Sequence, residues 1–142
     1  MLGVLCVFSL SVLCLPLTVK SKVSCNTENV HNVKNAIKMV AKEKWMEELT
    51  LYTPTIHDYE QKCPNASLLC FTEEMKVLSK ELPQQQHSPT NKICYSLLQI
   101  TKMTVQEPGC EVCELSAEET PDIFLEILLK VFQRINSNCS HI

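Results

Sequence analysis

Glycine is nearly missing from this chain: Gly3 and Gly109 are the only two in 142 residues. Tight β-hairpins and phosphate-cradling loops both need glycine at fixed places, so a hairpin-built sheet fold and a phosphate-loop enzyme are disfavoured. Aromatic residues make up only 6%, which further thins the strand-forming composition. Positive charge is not in excess either. A formal net charge of -3 leaves no basic field, so nucleic acid is not expected as a partner. Long apolar runs are limited to one, from Met1 to about Leu17, short of the roughly 20 residues a membrane span needs. It reads as a secretory signal peptide over residues 1–21, followed by one domain over 22–142 with no membrane insertion in the mature form. What remains is an all-α domain with enough length for a single modest core.

Cysteine, by contrast, is abundant. Of nine, Cys6 and Cys14 would leave with the leader, and Cys25, Cys63, Cys70, Cys94, Cys110, Cys113 and Cys139 would stay. In a secreted, extracellular protein most of these should pair, and the odd number leaves one free or shared with another chain. The sequons at Asn65 and Asn138 fit the same route as glycosylation sites.

Apolar periodicity predicts four helices. The first runs from about 27 to 48, opened by Asn26 or Thr27 with Glu28 in the first turn, and carries Val30, Val33, Ile37, Val40 and Ala41 on one face. Lys44 falls on that face, where the helix must bend or let the lysine stem reach outward. Residues 50–62 have no period and read as a long crossover loop. The second helix begins near Ser67 with Leu68, Phe71, Met75, Leu78 and Leu82 inward, and Pro83 stops it. Residues 84–91 read as an exposed connection. The third helix is short, on Ile93, Leu97, Leu98 and Ile100, and residues 105–116 form a second loop. Thr120-Pro121-Asp122 opens the fourth, with Phe124, Ile127, Leu128, Val131 and Ile135 inward. Four helices with two long connections and one medium one match the up-up-down-down short-chain cytokine bundle, with its long crossover loops joined by disulfides.

Bridges Cys63–Cys110 and Cys70–Cys113 would each close a loop of about 45 residues, the first worth roughly 4 kcal/mol in the chain-entropy model and the second less. Cys110-x-x-Cys113 is also zinc-ligand spacing, but no second close pair accompanies it, and no metal or other cofactor is expected. A thioredoxin-like centre would need a strand before the motif and a helix directly after it. For the remaining cysteines, one arrangement pairs Cys25 with Cys139 and leaves Cys94 as a buried thiol. The other bridges Cys25 with Cys94 and leaves Cys139 for a partner chain. His31, His57, His87 and His141 are scattered with no nucleophile beside them, so the chain is not expected to be an enzyme and has no catalytic residues to name.

Two surfaces stand apart from the predicted core. Glu74, Val77 and Glu81 form an acidic stripe with an aliphatic centre beside the apolar face of the second helix. On the fourth helix, Leu125 and Leu129 turn outward on a helical wheel close to Gln133, which suggests a partner surface. The same outward leucines motivate an alternative: a secreted, disulfide-bonded lipid-binding protein of saposin type, whose bridges would join helix termini pairwise.

Residues Thr50-Leu51-Tyr52-Thr53, the step from Cys63 to Cys70-Phe71, the run Gly109-Cys110-Glu111-Val112-Cys113-Glu114, and Phe124-Leu125 through Gln133 to Ile135-Asn136 resemble the interleukin-2/interleukin-15 cytokine family, and its interleukin-15 branch most closely. The resemblance spans somewhat under half of the chain and carries a specific four-cysteine pattern. It implies the same two bridges, and a four-helix cytokine that activates lymphocyte signalling by gathering receptor subunits. By position, Tyr52, Glu74, Val77, Glu81 and Glu114 would meet an interleukin-15 receptor alpha-type chain, and Gln133 the common cytokine receptor gamma chain. An interleukin-2 receptor beta-type chain would meet the first and third helices, where the chain departs from the family. No acid lies between Glu28 and Glu43, and Tyr95 or Ser96 stands where an asparagine is expected.

Overall fold

The computed structural model describes residues 26–82, 88–105, 107–110 and 112–139. The expected leader, Cys25 and residues 83–87 lie outside them. The described residues form an all-α fold of four long helices with one short antiparallel ladder. Among them no helix is long and apolar enough to cross a membrane.

Helix α1 spans Thr27–Ala41, and the Asn26 side chain caps it by accepting from the Glu28 amide at 2.9 Å. It stops seven residues short of the expected end at 48. Glu43 is extended, and the chain re-enters as a separate 3-10 turn, Lys44–Glu48, that buries Met46 and leaves Trp45 exposed. The break removes the conflict posed by Lys44, which now lies outside the α-helix.

The expected loop over 50–62 is instead structured. Strand β1, Leu51–Thr53, buries Leu51 fully, and a π-helical turn follows at Asp58–Lys62. Thr55 and Asp58 cap the turn reciprocally, each backbone amide donating to the other's side chain at 3.0 and 2.9 Å. Its last bond, Cys63 amide to Asp58 carbonyl at 2.8 Å, leads into helix α2, Pro64–Glu81. Proline at the first helical position starts α2 three residues earlier than the apolar period alone suggests.

Helix α3 spans Pro89–Thr101 and is capped by Ser88, whose hydroxyl accepts from the Asn91 amide at 3.3 Å. Ser88 and Thr90 are buried, so the end of the expected exposed connection is part of a helix start. A 3-10 turn at Cys113–Leu115 and strand β2, Ala117–Glu119, precede helix α4, Pro121–Cys139. β2 pairs antiparallel with β1, Tyr52 opposite Glu118.

Helix α1 packs on α4 and α3, α2 packs on α3, and β1 lies against both α2 and α4. The core is built from Val33, Ala36 and Val40 of α1, Phe71, Met75 and Leu78 of α2, Ile93 and Leu97 of α3, and six residues of α4 from Phe124 to Ile135. The Phe71 and Phe124 rings meet at 5.5 Å between centroids, tilted by 50°, an arrangement aromatic pairs favour. One expectation is overturned here. Leu125 is completely buried and Leu129 packs partly against the core, so neither forms an outward apolar surface. Because α4 meets α1 on one side and β1 on another, its buried arc is wider than a single helix face.

Candidate functional site

Two long connections, 42–63 and 102–120, meet beside α2 and are held there in three ways. The β1–β2 ladder pairs three residues of each. Two disulfides, Cys63–Cys110 and Cys70–Cys113, close with Cα–Cα distances of 6.0 and 5.1 Å. Glu107, brought in by the second connection, accepts from the Asn65 and Ala66 amides at 3.1 and 3.2 Å and so caps the start of α2. A carboxylate at that end also meets the positive end of the helix dipole.

These ties gather Tyr52, Glu74 and Glu114. The Glu74 carboxylate accepts from the Tyr52 amide at 2.7 Å, fastening β1 to the middle of α2. Burial raises the Glu74 carboxyl above its ordinary value; the Tyr52 hydrogen bond works against this, and the charges of Glu114, Glu73 and Glu118 add to the rise. Four acids therefore share one patch. Glu118 is anchored by the Thr50 hydroxyl, which donates to it at 2.8 Å, and Glu73 pairs with Lys76 at 3.2 Å. Apolar side chains are exposed close to them along the chain: Val77, one turn beyond Glu74, and Val112 and Leu115, on either side of Cys113, are 39%, 58% and 66% exposed. Glu81 is exposed near the C-terminal end of α2, on the side of the helix that carries Glu74 and Val77.

Glu73, Glu118, Val112 and Leu115 escape sequence reasoning. Glu118 joins the patch only through a three-residue strand of Ala-Glu-Glu, a composition with no strand signal. Val112 and Leu115 flank Cys113, so the disulfide decides their position.

Comparison with protein-family models, with curated proteins and with solved structures finds no match. The chemistry of the patch must therefore be read from its own residues. Clustered carboxylates around exposed aliphatics suit a basic protein surface that also offers apolar contact.

The other expected residues lie elsewhere. Gln133 is exposed on α4. Asn65 is half-buried in the first turn of α2, its amide nitrogen 3.4 Å from the Val105 carbonyl, and Asn138 is exposed in the last turn of α4. Cys139 is disulfide-bonded, while Cys25, its expected partner, is outside the described residues. Cys94 is a free, half-buried thiol 3.4 Å from the Met75 carbonyl. Burial pushes it up, partly offset by the Ser79 hydrogen bond and Lys76.

Among the described residues one group has metal-ligand geometry, Cys63, Glu107 and Cys110. Both sulfurs are bonded to each other and Glu107 is engaged by the α2 amides, which leaves no thiolate to donate. A polar hollow of ≈ 410 Å³ opens between the N-terminal halves of α1 and α3, lined by Asn29, Asn32, Lys92, Tyr95 and others. Asn29 is 4% exposed, and its Oδ1 has no hydrogen-bond partner among the described residues.

Proposed function

We propose that the chain is a secreted interleukin-15-like cytokine that binds an alpha-type receptor and the common gamma chain to activate lymphocyte signalling. In this reading the helices run up-up-down-down. The two long connections, 42–63 and 102–120, are the crossovers, and residues 82–88 are the short link between α2 and α3. The observation that supports this reading is that Tyr52, hydrogen-bonded to Glu74, and Glu114, whose charge acts on the Glu74 carboxyl, come together from three separate segments that the resemblance gives to one receptor contact. Gln133, exposed on α4, would meet the gamma chain. A beta-type chain would meet α1 and α3, where the hollow beside Asn29 and Tyr95 lies.

The saposin-type alternative loses its motivation. Leu125 is in the core, and the crossover bridges do not join helix termini pairwise.

The test is a titration against soluble alpha, beta and gamma receptor ectodomains. Glu81 makes no hydrogen bond or ion pair among the described residues, so Glu81→Lys changes the surface without disturbing the fold. Weakening of alpha-chain binding by about tenfold or more is expected, as for a desolvated charge pair at an interface. Unchanged alpha-chain affinity in Glu81→Lys and Glu74→Gln together would sink the assignment.

A further inference from the structure

The sequon Asn138-Cys139-Ser140 places a cysteine between the acceptor asparagine and its hydroxyl residue. Asn138 and Cys139 form the last turn of α4. Asn138 is exposed and lines an open hollow of ≈ 530 Å³ with Tyr59, Glu60, Gln61, Pro64 and Arg134, whose Arg134–Glu60 ion pair at 2.8 Å fixes one wall. The folded surface therefore has room for a sugar on this asparagine. Receiving one is a different matter. Transfer requires the tripeptide to leave helical geometry so that the hydroxyl residue can turn back on the asparagine amide. Cys139 is 8% exposed and disulfide-bonded, which pins the middle of the tripeptide into the core.

We propose that glycosylation at Asn138 competes with closure of the Cys139 disulfide, so that this site is modified only on chains that meet the transferase before the bond forms. The donor is a lipid pyrophosphate-linked oligosaccharide. The Asn138 Nδ2 forms a bond to the anomeric carbon, the bond from that carbon to the pyrophosphate oxygen breaks, one Nδ2 proton is lost, and lipid pyrophosphate leaves. No oxidation is involved in this step. Disulfide closure is a separate event, in which two thiols lose two electrons and two protons to the oxidising machinery of the secretory compartment. Once it has occurred, the helical, buried Cys139 withdraws the tripeptide from the transferase. Asn65 supplies an internal control, because its tripeptide, Asn-Ala-Ser, has no cysteine at the middle position.

The inference rests on passage through the secretory pathway, and the experiment separates the two. Full-length chain is expressed in mammalian cells, with and without a membrane-permeant dithiol during synthesis, and occupancy at Asn65 and Asn138 is read by peptide mass spectrometry after amidase release of the sugar. Wild type should carry partial sugar at Asn138, rising towards complete with dithiol. Cys139→Ala should be high at Asn138 in both conditions, with Asn65 unchanged by the substitution. Asn138 occupancy that is equal in wild type and Cys139→Ala, or insensitive to dithiol in wild type while Asn65 is occupied, would overturn the competition. Sugar at neither site, with the chain retained in cells, would instead overturn secretion itself and the inference with it.

Discussion

The helical core and the crossover layer are held by different physics. The core relies on burial: Phe71, Phe124, Leu125, Leu128 and Phe132 are buried on facing elements. The layer formed by 42–63 and 102–120 contributes Met46, Leu51 and few other buried apolar groups, and is fastened by two disulfides, a ladder of three residue pairs and side-chain caps. A layer stabilised by covalent and polar ties can leave its acids and aliphatics outward. The core cannot do this, because every apolar side chain it exposes weakens it.

Several substitutions would sharpen or break that contrast, taken from the largest effect to the smallest. Phe124→Ala should cost about 3–5 kcal/mol, the usual range for a buried aromatic, seen as a lower denaturant midpoint. Removing both Cys70 and Cys113 as alanines should cost about 2–4 kcal/mol and also weaken alpha-receptor binding, whereas Phe124→Ala should leave the binding of still-folded protein intact. Equal binding losses in the two variants would erase the distinction. Glu107→Ala should cost about 1–2 kcal/mol by uncapping α2, with faster amide exchange confined to its first turn. Asn29→Leu should gain about 1 kcal/mol by replacing a buried acceptor that has no partner among the described residues. A fall in melting temperature would mean that the oxygen is satisfied by water in solution.

The smallest effect is a pH slope at Glu74. Its folded carboxyl titrates above its unfolded one, so the folded state holds the proton more tightly. Stability should therefore fall as pH rises from the ordinary glutamate value through the raised one, and recover on acidification. Glu74→Gln keeps an acceptor for the Tyr52 amide and should flatten that slope in paired thermal melts.

Sequence reasoning reaches the helices because each carries a period longer than its own errors. Thr120-Pro121-Asp122 marks the start of α4 to the residue, and Pro64 would have marked α2 had its missing amide been weighed above the apolar count. The strands are illegible for a physical reason. Each is three residues long, and β2 has no propensity of its own, so only the partner across the ladder makes it a strand. The stripe Glu74, Val77, Glu81 is legible as a helical repeat. The neighbour Glu118 is not, because nothing local says that a second connection arrives there. Leu125 misleads for a related reason: a helical wheel assumes one buried face, and α4 has neighbours on more than one side.

The two bridges land on two different kinds of chain. From Cys63 to Cys70 is seven residues of helix and cap, about 10 Å at the helical rise. From Cys110 to Cys113 is three residues, whose greatest reach is also about 10 Å. A helix tied at one point can pivot about it, and a helix tied at two points along its axis can neither rotate nor slide by a turn. Two ties, at the cap of α2 and about two turns further along it, therefore restrict its rotation, so the direction in which Glu74, Val77 and Glu81 face is held by covalent chemistry as well as by the packing beneath them.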